Sequence, residues 1–147
     1  MEYNHPDFIT SHIPHRPPFL WLDRVTALGP DEVVAEKLIP ADLEIFKGHY
    51  PLHPITPGVL LCEAVFQAGA LLIAVQQRRD KEEASGVPVL TRIQGAKFKR
   101  QVGPGDLIEI KARLKERLGQ AWFMAGSVRV NGKVALKVEF ACALAEE

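Results

Sequence analysis

The stretch GHYPLHPITPGVLLCEAVFQ, residues 48–67, passes from a proline-punctuated loop into an apolar run. Prolines recur at every third position of that loop, and a proline directly before Gly58 suits the start of a helix. The run from Gly58 to Val75 is apolar nearly all round, which is typical of a helix buried inside a protein. We therefore predict one long buried helix from Gly58 to about Arg79.

A membrane-spanning helix is the alternative explanation of this apolar run. Its 18 residues lie at the lower limit of length for crossing the hydrocarbon core of a bilayer. Glu63 and Gln67 lie within it, and a carboxylate near the middle of a span is costly in lipid. We therefore expect a soluble protein with no membrane span.

Apolar residues that alternate with polar ones predict strands on both sides of this helix. Two strands precede it and four follow it, at residues 19–27, 32–39, 89–100, 108–115, 122–130 and 134–144. Asn131-Gly132 is a strong signal for a two-residue hairpin, residues 80–86 form a charged loop, and residues 41–50 hold a short helical turn at most. This order favours an α+β fold, in which an antiparallel sheet wraps around one long central helix. A second subunit is expected to cover the part of the helix that one sheet leaves open.

Composition and charge favour a soluble globular protein. Of the 147 residues, 47% are hydrophobic and 24% are charged, which excludes a disordered or collagen-like chain and suits a single domain over residues 1–147. Eighteen basic side chains offset eighteen acidic ones, so no overall positive field is available to attract nucleic acid. Cys62 and Cys142 lie in apolar runs, as buried thiols in a reducing compartment do, and residues 1–10 lack the apolar core of a signal peptide. We therefore expect a cytoplasmic protein.

Residues 48–67 resemble the signature of the beta-hydroxyacyl-acyl-carrier-protein dehydratases, a branch of the hotdog-fold superfamily. That signature has a Gly-His-aromatic-Pro element, a Pro-Gly helix start, and an acid fourteen residues after the His, which here is Glu63 after His49. Segments 14–25 and 98–106 are similar to the family's first strand and to part of its later sheet. The resemblance covers about residues 12–145 in the expected order, and it implies a hotdog fold.

The resemblance implies an activity as well as a fold. The expected reaction converts a (3R)-hydroxyacyl thioester on acyl carrier protein to the trans-2-enoyl thioester, as in fatty acid or related lipid biosynthesis. The resemblance implies that His49 is the base, that Glu63 is the acid and that the Gly58 N–H donates to the thioester carbonyl. It also implies a homodimer in which His49 and Glu63 of each site come from different subunits, with further assembly into a trimer of dimers left open. No metal or redox cofactor is implied, and the substrate is expected to arrive on the phosphopantetheine arm of the carrier protein.

The chemistry of these residue types agrees with the implied roles. Eliminating water from a 3-hydroxyacyl thioester needs a base, an acid for the departing hydroxide, and donors for the thioester oxygen. Histidine titrates near neutral pH, so His49 is suited to take up a proton in the cell. Desolvation in an apolar helix raises the pKa of a carboxyl group, which keeps Glu63 protonated as an acid. Gly58 begins the helix, so its N–H lies unpaired at the positive end of the helix dipole.

Each candidate residue also has an interpretation without function. His49 is otherwise a turn histidine, and Glu63 a partner for an arginine or a helix cap. Gln67 lies one turn beyond Glu63 and either orients it or bonds to backbone. A tunnel for the alkyl chain of the substrate is expected beside the central helix. Val59 and Phe66 either line this tunnel or pack as ordinary apolar side chains.

The basic residues and the histidines likewise have both a functional and a non-functional interpretation. Lys97, Lys99 and Arg100 form either a solvated strand edge or a contact for an acidic carrier protein. No metal site is expected, because the candidate histidines lack a standard ligand spacing at positions 12, 15, 49 and 53.

The chain departs from the family's usual pattern at four positions. Val65 and Phe66 follow the acid, where the family usually has small or flexible residues, and Gln94 and Gln101 stand where it often has an Asp and a Pro. These departures bear on the tunnel and the substrate more than on the reaction. Two other functions stay open on sequence alone: a hotdog thioesterase, which needs no base like His49, and a non-catalytic acyl-binding protein.

Overall fold

The computed structural model describes residues 1–81 and 86–145 of the chain. The helices are α1 (Phe8–His12) and α2 (Gly58–Arg79), and a 3-10 turn (Glu44–Lys47) lies between them. The strands are β1 (Arg24–Leu28), β2 (Glu32–Leu38), β3 (Val87–Phe98), β4 (Leu107–Leu118), β5 (Ala121–Val130) and β6 (Lys133–Ala145).

The six strands form one antiparallel sheet with the order β1-β2-β4-β5-β6-β3. Strand β3 pairs with β6, and its other edge has no partner among the described strands. The helix α2 packs across the inner face of this sheet and contacts five of the six strands. The α+β prediction of a sheet wrapped around one long central helix is therefore confirmed.

Burial of α2 follows from the composition of its surface. Thirteen of its 22 residues are buried, and they lie on every side of the helix, because it is apolar nearly all round. By length and hydropathy alone it is able to cross a membrane, but 61% of its most apolar 18-residue window is buried inside the protein. It is therefore the core helix of this sheet.

Two glycines allow the helix and the sheet to approach closely. A side chain at Gly126 of β5 would collide with Val65 of α2, and a Cβ at Gly69 of α2 would lie 2.9 Å from the ring of Phe140 on β6. Val65, which departs from the small residues usual after the acid, therefore packs into space that a glycine leaves open on the opposing strand.

The structure corrects two sequence predictions near the N-terminus. The first strand does not begin at Phe19 but at Arg24, because backbone groups of Phe19 and Trp21 bond to a side chain of α2. Helix α1 was missed, since residues 1–10 are mostly polar, although Phe8 is buried and α1 packs on α2. The other five strands end within three residues of their predicted bounds. Of the predicted charged loop at 80–86, residues 82–85 lie outside the described residues.

Candidate active site

The loop between the 3-10 turn and α2 fixes the orientation of His49. The backbone N–H of His49 donates to the carbonyl of Ile45 at 2.9 Å, which holds His49 at the end of that turn. Its ring Nδ1 lies 2.9 Å from the carbonyl oxygen of Ile55. A carbonyl only accepts, so Nδ1 carries the hydrogen and Nε2 keeps its lone pair. The half-buried imidazole is therefore arranged to accept a proton at Nε2.

Glu63 lies in the second turn of α2 and is half-buried. Burial raises the pKa of its carboxyl group, and the side-chain amide of Gln67, one turn along the helix, offsets part of that rise. A carboxyl group with a raised pKa retains its proton to higher pH than an exposed glutamate does. The arrangement therefore favours a proton donor at this position.

Gln67 is fully buried and fixes the segment that leads into β1. Its Oε1 accepts from the backbone N–H of Trp21 at 2.8 Å, and its Nε2 donates to the carbonyl of Phe19 at 2.9 Å. Of the two roles considered for Gln67, bonding to backbone is the one that the hydrogen bonds show. In addition, Gln67 partly offsets the rise that burial causes in the pKa of the Glu63 carboxyl group.

The two cysteines have no reactive thiolate. Burial raises the pKa of the Cys62 thiol. Burial, with a smaller contribution from the charge of Glu63, raises the pKa of the Cys142 thiol to about 12. Both thiols are free and stay neutral at physiological pH.

Helix α2 begins with two backbone donors that have no acceptor within the described residues. Leu60 and Leu61 donate to the carbonyl of Pro57, whereas the N–H groups of Gly58 and Val59 do not find one. A Cβ at Gly58 would lie 2.7 Å from Cε1 of Phe98, so a side chain at this position would displace the ring. Val59 is 73% exposed, so it does not line an enclosed tunnel within one chain. The helix start therefore offers free donors beneath an aromatic ring.

The remaining candidate residues lie on different parts of the surface and core. Phe66 is half-buried with its ring centroid 4.9 Å from that of Phe140. Lys97, Lys99 and Arg100 are exposed and flank Phe98 on both sides in sequence.

Within one chain, the described residues show no hydrogen bond or ion pair between His49 and Glu63. Phe98 and Phe19 were not among the candidate site residues, although both lie in segments that resemble the family. Phe98 belongs to the segment at 98–106 that resembles the family, so that motif held the available signal. Nothing in the sequence indicates that Phe19 would bond to Gln67.

Three of the four histidines considered as metal ligands, at positions 12, 49 and 53, have other partners. His12 Nδ1 contacts the carbonyl of Phe8 at 2.7 Å, and His53 Nε2 lies 3.1 Å from Oε1 of Gln101. Burial lowers the pKa of both His12 and His15. In the described part of the chain, no group of three or more His, Cys, Asp or Glu side chains is placed to hold a metal ion.

Comparison with known proteins relates this arrangement to characterised families. A model of the FabA-like domain family matches residues 13–139. The 3-hydroxyacyl-(acyl-carrier-protein) dehydratase FabZ of Anaeromyxobacter sp. (strain K) is 40% identical over 91% of this chain and 86% of its own. The same enzyme of Nitrosospira multiformis is 41% identical over 91% of this chain and 92% of its own.

Solved structures show the same fold. The dehydratase heterocomplex ApeI:P from Xenorhabdus doucetiae superposes with a TM-score of 0.79, at 16% identity over 95% of this chain and 91% of that chain. The TT0310 protein from Thermus thermophilus gives 0.64 at 23% identity, over 89% of this chain and 100% of its own. The fold prediction is thereby confirmed, and the chain belongs to the FabA-like family of hotdog-fold proteins.

Proposed function

We propose that this chain is a hydro-lyase that dehydrates a (3R)-hydroxyacyl thioester on acyl carrier protein to the trans-2-enoyl thioester, as in fatty acid or related lipid biosynthesis. Dehydratases of this activity are its relatives at 34–41% identity over most of the chain. The observation that carries the proposal is a complementary pair. His49 keeps a free Nε2 lone pair, and Glu63 is a half-buried carboxyl group with a raised pKa.

Each side chain has a defined step in this elimination. His49 Nε2 takes the proton from the α carbon, and the electron pair of that C–H bond forms the new double bond. The C–O bond at the β carbon breaks, and Glu63 gives its proton to the departing hydroxide, so water leaves. The Gly58 N–H donates to the thioester oxygen, where negative charge develops, at the positive end of α2. Elimination of water transfers no net electrons to the enzyme, so it needs no redox cofactor, and phosphopantetheine serves as the substrate's carrier.

A homodimer would complete the site. Strand β3 is an edge strand of 12 residues with exposed apolar side chains at Val89, Leu90, Ile93 and Phe98. A long apolar edge of this kind aggregates unless another chain covers it. Phe98 lies over Gly58, so a subunit that covers β3 also reaches the start of α2. This supports a dimer in which His49 of one subunit serves Glu63 of the other; a trimer of such dimers is a further assembly that these observations leave open.

The surface beside Phe98 is suited to a carrier protein. Lys97, Lys99 and Arg100 are exposed on either side of this ring, and no acidic partner lies against them in the described residues. A carrier protein docked there would bring its phosphopantetheine arm towards the donors at Gly58. The free, buried thiols support a cytoplasmic location for this reaction.

The test is product analysis with 3-hydroxyacyl carrier-protein thioesters of increasing chain length. We expect enoyl absorbance to rise without release of free thiol, because elimination leaves the thioester intact. Release of free thiol without enoyl product would show a thioesterase instead. Binding of the substrate with neither product would show a non-catalytic acyl-binding protein.

A further inference from the structure

The outer face of the sheet, opposite α2, carries a shallow trough of about 510 Å³. It lies across β4, β5, β6 and β3. Gly126 of β5 faces Val65 on α2, so by the alternation of a strand its neighbours Ala125 and Ser127 face outward. These two small side chains form the floor of the trough, and longer side chains of the flanking strands form its walls. Its volume is in the range of small-molecule sites.

Strand register aligns cationic side chains across this trough. Lys111 on β4 is opposite Ser127 on β5, Ser127 is opposite Lys137 on β6, and Lys137 is opposite Lys97 on β3. The four residues form one transverse row, about 14 Å long at the usual spacing of strands. Arg113 lines the trough from the next row. We call the three lysines at 97, 111 and 137 the lysine row.

The described residues neutralise the lysine row only in part. Lys97 and Lys137 are directly opposite one another, and like charges in that position destabilise a sheet. Lys111 has a distant acidic partner, Glu32 at 3.8 Å. The carboxylate of the trough, Glu139, pairs with Lys115 at 3.0 Å, which takes it away from the row. Among the described residues, Lys97 and Lys137 have no acidic partner.

From this arrangement we infer that the lysine row binds a small ligand with two or more phosphate groups. Lysine binds phosphate as a point charge, and the hydroxyl of Ser127 in the middle of the row adds a neutral donor. A protein partner fits less well, because interface cores are depleted of lysine and enriched in aromatic residues. None of the exposed large apolar side chains lines the trough.

This site is separate from the proposed catalytic pair, although Lys97 belongs both to it and to the surface proposed for the carrier protein. Glu63 lies on α2, on the inner side of the sheet, whereas the lysine row lies on the outer side. Pairing of a second subunit through the free edge of β3 uses backbone groups and leaves the outer-face side chains in place. Binding at the trough is therefore measurable without any assay of dehydration.

Titration of the full chain with inorganic triphosphate at low ionic strength, followed by calorimetry, tests the inference. Binding is expected for the wild type, and Lys97→Gln and Lys137→Gln should each weaken it about threefold to fivefold, as loss of one exposed ion pair does. Lys133→Gln is the matched control, because Lys133 is an exposed lysine on β6 outside the trough. It should bind within about twofold of the wild type.

Thermal unfolding provides a second readout. Without ligand and at low salt, Lys137→Gln should melt at a higher temperature than the wild type, because the repulsion of Lys97 is removed. Triphosphate should raise the melting temperature of the wild type but not that of a double variant that carries both Lys97→Gln and Lys137→Gln. No binding by the wild type, or equal binding by the double variant, would overturn the inference. Binding of a polyglutamate peptide in place of triphosphate would assign the row to an acidic protein instead.

Discussion

At the scale of single residues, the chemistry depends on which nitrogen of His49 carries a hydrogen. The carbonyl of Ile55 decides this, because it accepts from Nδ1 and leaves Nε2 free. Glu63 has the opposite requirement, since an acid must hold its proton until hydroxide departs. Its place among apolar neighbours in α2 meets that requirement through the raised pKa. In the proposed mechanism, the surroundings of His49 and Glu63 thus suit them to complementary roles.

The raised pKa of Glu63 predicts a specific pH dependence of stability. A carboxyl group whose pKa is raised on folding stabilises the fold below its unfolded value, near 4.5, and that contribution is lost as pH rises through the folded value. Glu63→Gln removes this loss, so the variant should gain stability relative to the wild type between about pH 4 and pH 7. Urea unfolding across this range measures the effect, with the exposed Glu116→Gln as control. Parallel curves for wild type and Glu63→Gln would mean that the carboxyl group is not desolvated by the fold.

Gly58→Ala is expected to disturb the helix start. The added methyl group would lie 2.7 Å from the Phe98 ring, and the ring must shift away from the donor. Overpacking of this kind costs about 1–3 kcal/mol of stability. We expect dehydration to slow more than tenfold, because the methyl group crowds the position from which this N–H would donate to the thioester oxygen. Gly29→Ala is the control, since its nearest neighbour would be an oxygen at an ordinary 3.8 Å. Normal turnover by Gly58→Ala would show that the reaction does not use the space beside this N–H, since alanine keeps the N–H itself.

At the scale of elements, most of the fold was predictable and the N-terminal segment was not. The helix bounds follow from Pro57-Gly58 and from the charged residues after it, both of which are local signals. Strands β2 to β6 follow from alternation, also local. Phe19 and Trp21 have the composition of a strand, but the buried amide of Gln67 takes up their backbone groups. That contact joins residues 46 and 48 positions apart, so no pattern within a window of sequence reveals it.

The candidate site also has a part that the sequence predicts and a part that only the structure shows. The candidate residues His49, Glu63 and Gly58 lie in one continuous motif, which is why they can be proposed from the sequence. The ring of Phe98 over Gly58 depends on the pairing of β3 with β6, and the space for Val65 depends on a glycine in β5. Such contacts between distant segments require the three-dimensional structure.

Phe66 tests how α2 limits the acyl chain. Its ring packs on Phe140 one turn from Glu63, where the family usually has a smaller residue. Phe66→Ala should shift the preference towards longer acyl chains. Its cost in stability should fall below the about 3–5 kcal/mol of fully buried phenylalanines, because the ring is only half-buried. Rates over a series of chain lengths measure the shift. Phe8→Ala on α1 is the control, since it should lower stability without changing the profile; an unchanged profile for Phe66→Ala would leave the ring a packing role alone.

At the scale of the whole molecule, the proposed homodimer would account both for the exposed edge of β3 and for the lack of a hydrogen bond between His49 and Glu63 in the described chain. A second subunit paired at β3 would cover the apolar edge and bring a second loop to the start of α2. We therefore expect inactive His49→Ala and Glu63→Gln chains to restore activity when they are refolded together. In a mixed dimer with shared sites, one site carries both lesions and the other carries none.

The recovery has a defined size. Random pairing makes about half of the dimers mixed, and each has one intact site of two, so about a quarter of wild-type activity should return. Each variant refolded alone provides the control. No recovery at any mixing ratio would place both groups of a site in one subunit, and the shared site would be wrong.

The most direct test of the central claim is the rate of enoyl formation by the two pair variants, measured on folded protein. If His49 and Glu63 perform the elimination, His49→Ala and Glu63→Gln should each slow dehydration by about a hundred- to ten-thousand-fold, because each loses one acid–base group. Their circular dichroism and melting behaviour should remain those of a folded protein. Near-normal turnover by either folded variant would contradict the account, since the elimination would then proceed without one member of the pair.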